Sequence, residues 1–331
     1  MNRETKAWTF TYGGYPKALA QSTLPLDARP LQPSEIQVRV KAASLNPVDA
    51  QLMGYPLLPQ LMPKPKGVGE DFSGVVEQAG AKSGFKAGDE VFGMVDFLSG
   101  GTLRETMRIN TEKAAIVRKP TDWSWEQAAA LPLVWLTAKT AIARAAPYVK
   151  NGKIAVLGGG SSSGMYAVYL ANQRGWTVIT TCSAAKAELV RSLGASEIVD
   201  YTKTDVRQGV KALEPDAIID CVGGKECVGI AKRYVTIVGD KTDRLSPGGM
   251  YTYFWNPQMM LRALSGTIGL GRSYTCINLE LKQSLLEDIV QLPKDKIIID
   301  SCYGFYQVKE AFDKLKAGRT TGKIMITVEA A

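Results

Sequence analysis

The chain has 331 residues, a net charge of +8 and a hydrophobic fraction of 45%, as expected for a folded protein of about two domains. It has neither an apolar run of the ~18 residues that a membrane helix needs nor a secretory signal, so a cytoplasmic protein without a membrane partner is expected. The absence of histidine excludes the usual catalytic zinc shell, and the five scattered cysteines are interpreted as free thiols, so no metal is expected. The dispersed lysines favour a solvated surface over a nucleic-acid-binding stripe.

Short strands separated by turns are predicted for the first part of the chain. Ile36–Lys41 alternates as a half-buried strand does, and Phe72–Glu77 carries the β-branched residues of another strand. Proline and glycine are frequent in Gly54–Gly69, which predicts a loop.

A different pattern begins near Ser124. Residues 125–148 predict helices interrupted by Pro132, and Lys153–Leu157 is a short apolar run typical of a strand buried on both faces of a parallel sheet. Strands and helices then alternate, which predicts a doubly wound sheet. The predicted strands are Thr177–Cys182, Ile198–Asp200, Ala217–Val222 and Val235–Val238, and the predicted helices are Ala184–Leu193, Val206–Leu213 and Glu226–Arg233. Beyond about Thr275 strands return, with one more helix at Val308–Lys316.

A glycine-rich turn follows the strand Ile154–Leu157 and precedes a helix predicted from Met165 to Arg174. Such a turn lets backbone amides approach a pyrophosphate, to which the helix N-terminus adds partial positive charge. A tight turn without a ligand is the alternative. The candidate dinucleotide-binding residues are Gly159, Gly160, Ser161, Ser162, Ser163 and Gly164.

The end of the second strand of this domain indicates which dinucleotide is bound. Enzymes that prefer NAD place an acidic residue there for the ribose 2′-hydroxyl, but this chain has Thr180-Thr-Cys-Ser183. Ser183 and Lys186 would suit a 2′-phosphate, which an ammonium group attracts, and Tyr201 ends the third strand. The sequence therefore predicts NADPH, with a merely solvated Lys186 as the alternative.

Motifs along nearly the whole chain resemble the medium-chain dehydrogenase/reductase superfamily, specifically its zinc-free quinone oxidoreductase and enoyl reductase branch. Any one motif is weak, but their order and spacing carry the resemblance. They are Ser44–Asp49, Gly69–Val76, Phe85–Gly93, Gly100–Glu105, Ala128–Pro132, Leu136–Ala138, Gly194–Ala195, Asp200–Tyr201, Val308–Phe312 and Gly318–Ile324.

The resemblance implies an α/β fold in which a GroES-like β-barrel domain receives a Rossmann domain as an insertion, with the nicotinamide in the cleft between them. We expect residues 1–123 and 275–331 to form the catalytic domain and residues 124–274 the dinucleotide-binding domain. A homodimer through the edge of the Rossmann sheet is typical of the family.

The resemblance also implies roles for individual residues. Asn46 would face the nicotinamide and the substrate, although Asn46–Asp49 could be only a turn. The cofactor would contact Thr137, the cluster of Ser183, Lys186 and Tyr201, the loop Cys221, Val222 and Gly223, and Lys323. The histidine and cysteine ligands of zinc-dependent relatives are missing near Gly69 and Asn46.

A tyrosine beyond the Asn-Pro-x-Asp turn is proposed as a proton donor in enoyl reductases. Tyr55 falls close to that position, with one residue missing in between, and a loop aromatic packed on the barrel is the alternative. The sequence thus predicts an NADPH-dependent reductase acting on a small molecule, either a quinone or an α,β-unsaturated carbonyl. The alternatives are a relative specialised for one biosynthetic intermediate and a non-catalytic protein that binds NADPH or RNA.

Overall fold

The computed structural model describes residues 4–11, 14–54, 66–240, 256–318 and 320–328. The chain divides into two compact units, of which the first comprises Met1–Leu133 and Leu281–Ala331 and the second Val134–Glu280. The predicted boundaries, after residues 123 and 274, lie earlier in the chain. The first one differs because the helix Trp125–Ala129 packs on strands of the first unit.

The described residues form strands and helices in both units. The strands are β1 (Glu4–Phe10), β2 (Leu19–Pro25), β3 (Glu35–Leu45), β4 (Lys66–Gly67), β5 (Asp71–Ala79), β6 (Glu90–Val95), β7 (Thr106–Asn110), β8 (Ala114–Arg118), β9 (Lys153–Leu157), β10 (Thr177–Cys182), β11 (Glu197–Asp200), β12 (Ala217–Asp220), β13 (Arg233–Thr236), β14 (Ser273–Cys276), β15 (Ile299–Gly304) and β16 (Lys323–Thr327). The α-helices are α1 (Pro47–Met53), α2 (Trp125–Ala129), α3 (Pro132–Ala145), α4 (Ser162–Gln173), α5 (Ala187–Ser192), α6 (Val206–Ala212), α7 (Pro257–Thr267) and α8 (Val308–Ala317).

The first unit is built on two sheets. The smaller sheet has the order β2-β1-β4, and the larger has the order β15-β16-β3-β5-β6-β8, with β7 paired to β3. The predicted strands Ile36–Lys41 and Phe72–Glu77 lie within β3 and β5, which pair antiparallel. Ile36, Val38 and Val40 are buried, as the alternating pattern requires. β3 therefore lies in the core of this unit, with its C-terminal end leading into α1.

The second unit is a six-stranded parallel sheet with the order β11-β10-β9-β12-β13-β14. Counted from its first strand, this is the order 3-2-1-4-5-6 of the Rossmann fold, so the predicted doubly wound architecture is confirmed. Ile154–Leu157 of β9 is fully buried, as a central strand covered on both faces should be. The order reverses between β9 and β12, which makes the carboxyl ends of these strands the expected ligand position.

The predicted helix Glu226–Arg233 is wrong. This segment forms turns instead, in which the Val228 amide donates to the carbonyl of Lys225 and the Ile230 amide to that of Cys227. Gly229 adopts a φ of 84°, a left-handed conformation that a continuous helix cannot contain. The chain then enters β13 directly at Arg233.

The predicted loop Gly54–Gly69 is described only in part. Residues 55–65 lie outside the described residues, and Lys66–Gly67 pairs with β1 as the short strand β4. None of the described helices combines the length and the apolar character needed to cross a membrane.

Candidate active site

The glycine-rich turn of the second unit joins β9 to α4. Gly158 has a φ of 77°, and Ser161 caps the helix by accepting a hydrogen bond from the Gly164 amide at 3.2 Å. A Cβ on Gly164 would lie 2.2 Å from the carbonyl oxygen of Gly158. The turn can therefore close tightly against the helix N-terminus only with glycine at position 164, which is the geometry predicted for a pyrophosphate-binding turn.

Two threonines at the end of β10 hold this turn in place. The Gly158 amide donates to Thr181 Oγ1 at 2.7 Å and the Gly159 amide to the Thr181 carbonyl at 3.1 Å. A Cβ on Gly159 would lie 2.0 Å from Thr180 Oγ1. The backbone amide of Gly160, next along the turn, has no hydrogen-bond partner among the described residues. It is therefore available to donate a hydrogen bond to an anion. Sequence reasoning missed this role of Thr180 and Thr181, although their position at the strand end was visible.

The predicted 2′-phosphate residues lie along the same edge of the sheet. Ser183 follows β10 and Tyr201 follows β11, and the last residues of these neighbouring strands, Cys182 and Asp200, are directly paired. Lys186 reaches back over the glycine turn, where its Nζ donates to the Gly160 carbonyl at 2.8 Å. The structure therefore brings a cation to the turn, whereas the contact of Lys186 with a 2′-phosphate stays a prediction.

The loop Cys221–Gly223 is fixed by a buried acid that sequence reasoning missed. The Asp220 carboxylate accepts hydrogen bonds from the amides of Val222 and Gly223, at 3.0 and 2.8 Å, and from Thr236 Oγ1 at 2.8 Å. Burial raises the pKa of Asp220, and these hydrogen bonds oppose the rise. A Cβ on Gly158 would lie 2.2 Å from Val222 Cγ1, so the loop and the glycine turn are adjacent across the switch point.

These second-unit residues together fit a dinucleotide. The available Gly160 amide, the N-terminus of α4 and the Lys186 ammonium group are all suited to phosphate. Thr137, on α3, is also buried, but the described hydrogen bonds join it to none of the other predicted residues.

A buried polar cluster in the first unit contains two further predicted residues. Its position follows from strand register, because β16 pairs antiparallel with β3 and Ile324 lies opposite Leu45. The next residue on each strand, Lys323 and Asn46, therefore meet at the strand ends. β5 pairs with the other edge of β3 and places Asp71 opposite Ser44.

Asp71 is the common acceptor of this cluster. Its Oδ2 accepts from Ser44 Oγ at 2.7 Å, Asn46 Nδ2 at 2.9 Å and Lys323 Nζ at 3.1 Å, and its Oδ1 accepts from the Leu133 amide at 2.7 Å. Lys323 Nζ also donates to Asn46 Oδ1. Every side chain of this network is at most 2% exposed, namely Ser44, Asn46, Asp71 and Lys323. The structure thus joins Asn46 and Lys323, whereas the assignment of Lys323 to the cofactor stays a prediction.

Two more acids lie beside this network. Asp49 accepts from the Asn46 amide at 2.7 Å and from the Gly69 amide at 3.2 Å, whereas the Glu70 carboxyl group has no hydrogen-bond partner among the described residues. Burial is the main cause that raises the pKa of Asp49, to about 7, and the Asp71 carboxylate adds to it. Burial and the Asp49 and Asp71 charges raise the pKa of Glu70 well above its ordinary value.

Two remaining site predictions concern the metal and the proton donor. The part of the chain that the structure describes contains no group of histidine, cysteine, aspartate or glutamate residues that could hold a metal ion. Tyr55 lies outside the described residues, so its role stays a prediction.

Two protein families match this chain. Residues 32–121 match the alcohol dehydrogenase GroES-like domain, and residues 193–326 match the family described as zinc-binding dehydrogenase. The first match bears out the predicted GroES-like domain.

Curated relatives and solved structures match the chain over most of its length. The mitochondrial NAD(P)H oxidoreductase RTN4IP1 of Mus musculus is 30% identical, over 89% of this chain and 82% of that protein. The trans-enoyl reductase pgmF of Aspergillus terreus is 30% identical, over 98% of this chain and 96% of that protein. The structure of the quinone oxidoreductase from Coxiella burnetii is similar with a TM-score of 0.79 and 26% identity, covering 99% of this chain and all of that one.

The raised pKa of Asp49 predicts a pH-dependent stability. Between its ordinary pKa near 4 and the folded value of about 7, the unfolded chain has lost the proton that the folded chain retains, so the free energy of unfolding falls as pH rises. The slope is at most about 1.4 kcal/mol per pH unit for one group, and Glu70 adds in the same direction.

Asp49→Asn should flatten this slope in urea unfolding measured from pH 4 to 7. Asp295→Asn, which changes an exposed carboxylate paired with Lys296, is the matched control and should keep the slope. A wild-type slope in the Asp49 variant would show that folding does not raise the pKa of Asp49.

Proposed function

Because the chain belongs to the medium-chain dehydrogenase/reductase superfamily, as an oxidoreductase of its quinone oxidoreductase- and enoyl reductase-like group, we propose that it is a zinc-independent, NADPH-dependent reductase of quinones or α,β-unsaturated carbonyls. A nicotinamide cofactor and a small-molecule substrate follow from the family itself. The preference for NADPH, the independence of zinc and the substrate class are the proposal.

One observation carries the choice of cofactor. Where an NAD-dependent enzyme places an acid for the ribose 2′-hydroxyl, β10 ends in Cys182 and is followed by Ser183. Lys186 stands over the turn, where its Nζ donates to the Gly160 carbonyl. A carboxylate at that position would repel a 2′-phosphate, whereas the lysine attracts it. When bound, the cofactor would supply a hydride. The protein would bind and orient the cofactor and the substrate and exclude water from them.

Two observations favour the conjugated carbonyl class. The fungal relative is named a trans-enoyl reductase and the similar structure from Coxiella burnetii a quinone oxidoreductase, and both align over most of this chain. Asn46 supplies a buried amide that can donate a hydrogen bond to a carbonyl or quinone oxygen. A substrate belonging to one biosynthetic pathway stays an alternative that no observation on this chain favours. Because the chain is an oxidoreductase, the non-catalytic alternative has no support. The homodimer and the cytoplasmic location stay predictions.

A panel of acceptors tests the proposed reaction. We expect NADPH oxidation with at least one 1,4-quinone, enone or enoyl thioester, and slower oxidation with simple aldehydes. Turnover measured by the loss of NADPH absorbance, with product identified by mass, distinguishes these classes. Reduction of aldehydes alone would contradict the proposal.

The cofactor preference is tested at Lys186. Removing one charge-assisted contact to the 2′-phosphate should cost about 1.5–3 kcal/mol, so Lys186→Ala should weaken NADPH binding by roughly one to two decades and leave NADH nearly unchanged. Fluorescence titration measures both dissociation constants. Lys211→Ala, on the exposed face of α6, is the matched control. Equal weakening of both cofactors would instead mean that Lys186 only supports the turn through Gly160.

Metal removal tests the proposed independence of zinc. The chain has no histidine, so a metal would need carboxylate or thiolate ligands alone. Activity should survive dialysis against EDTA, and elemental analysis should find less than stoichiometric zinc. Activity that EDTA abolishes and zinc restores would contradict the proposal.

A further inference from the structure

The amide group of Asn46 has only one orientation compatible with its neighbours. Its Oδ1 faces Lys323 Nζ, which can only donate, and its Nδ2 faces Asp71 Oδ2, which can only accept. Exchange of the amide oxygen and nitrogen would oppose donor to donor and acceptor to acceptor. The second N–H of Asn46 has no partner among the described residues, so it remains as a buried donor.

The ammonium group of Lys323 also changes the strength of that donor. The positive ammonium group that donates to Oδ1 draws electron density toward that oxygen. The N–H groups of the amide thereby become better donors, since hydrogen bonds in a chain polarise one another. Burial strengthens this effect relative to water, because Lys323, Asn46 and Asp71 are all at most 2% exposed. The Asp71–Lys323 ion pair, at 3.1 Å, adds no net charge when both groups are ionised.

We propose that Lys323 and Asp71 are positioning residues: both orient Asn46, and Lys323 also polarises it, so that its remaining N–H binds the substrate oxygen. This inference rests on the proposed function. When the conjugated substrate gains a hydride at carbon, a C–H bond forms and the displaced π electron pair moves to oxygen. A proton from water then completes the reduction of the substrate, and the nicotinamide is oxidised. The Asn46 N–H stabilises the negative charge on oxygen before that proton arrives.

The test must separate this role from support of the fold. Lys323→Met leaves the buried charge of Asp71 unpaired, so it should lower Tm strongly. Asp71→Asn/Lys323→Met removes both charges, and Tm should largely recover, because removing a complete buried pair is often nearly neutral. Lys314→Met, which breaks the ion pair with Asp300 elsewhere in the same unit, is the control and should change turnover little.

Turnover should not recover with stability. We expect kcat of the double variant to stay about 10- to 100-fold below wild type, as for one lost charged hydrogen bond, with the NADPH dissociation constant nearly unchanged. Recovery of kcat together with Tm would overturn the proposal, because the pair would then serve stability alone.

A second measurement needs neither substrate nor turnover. In ¹⁵N-labelled protein, the side-chain amide signals of Asn46, identified by their absence in Asn46→Ala, should shift and exchange faster with solvent in the double variant. Signals unchanged from wild type would overturn the proposal even if no acceptor in the panel were reduced. A shifted amide in a protein that reduces none of the acceptors would contradict the proposed function but support the positioning.

Discussion

Burial of the Asp71 carboxylate is the constraint on which the first unit depends. Moving an ion out of water costs several kcal/mol, so a fully buried carboxylate persists only where donors surround it. Four donors do so, and each comes from a different place: the end of β3, the start of α1, the start of β16 and the first turn of α3. If the register of β16 on β3 slipped by one residue, Lys323 would leave Asp71 and face the opposite side of the sheet. The pair thus favours one register, whatever its net contribution to stability.

The second unit meets a different constraint, because its site must present backbone amides to an anion without a side chain in the way. The sheet order brings the carboxyl ends of β9, β10 and β12 together, and side-chain oxygens of Thr181 and Asp220 then satisfy the amides that face inward. Glycines at 158, 159 and 164 leave no Cβ where strand, turn and helix touch. The Gly160 amide has no hydrogen-bond partner among the described residues, and the carbonyl of the same residue accepts from the ammonium group of Lys186.

The sequence predicted the features that depend on neighbouring residues. β9 and β10 have the predicted bounds, because a short apolar run between turn residues is a local signal. The prediction of a helix at 226–233 was wrong because Gly229 adopts a left-handed backbone conformation, which the composition of the segment does not reveal. The contact of Lys323 with Asn46 spans 277 positions and depends on strand register, which no local pattern contains. Asp220 was missed for a similar reason, because its role appears only once β12 is known to lie beside β9.

A protein without histidine has no side chain that ordinarily titrates near neutral pH, so any group that does so here must be a perturbed one. The buried cluster contains such perturbed groups because it has more carboxyl groups than ammonium groups. Asp49, Glu70 and Asp71 are three carboxyl groups, and Lys323 is the one ammonium group among the side chains that the structure joins to them. Asp71 takes the ammonium group and three other donors. Among the described residues Asp49 has two backbone donors and Glu70 has no hydrogen-bond partner, and burial raises the pKa of both groups. The cluster therefore holds at least one proton at pH values where an exposed carboxyl group would have lost it, and it does so directly beside the amide of Asn46.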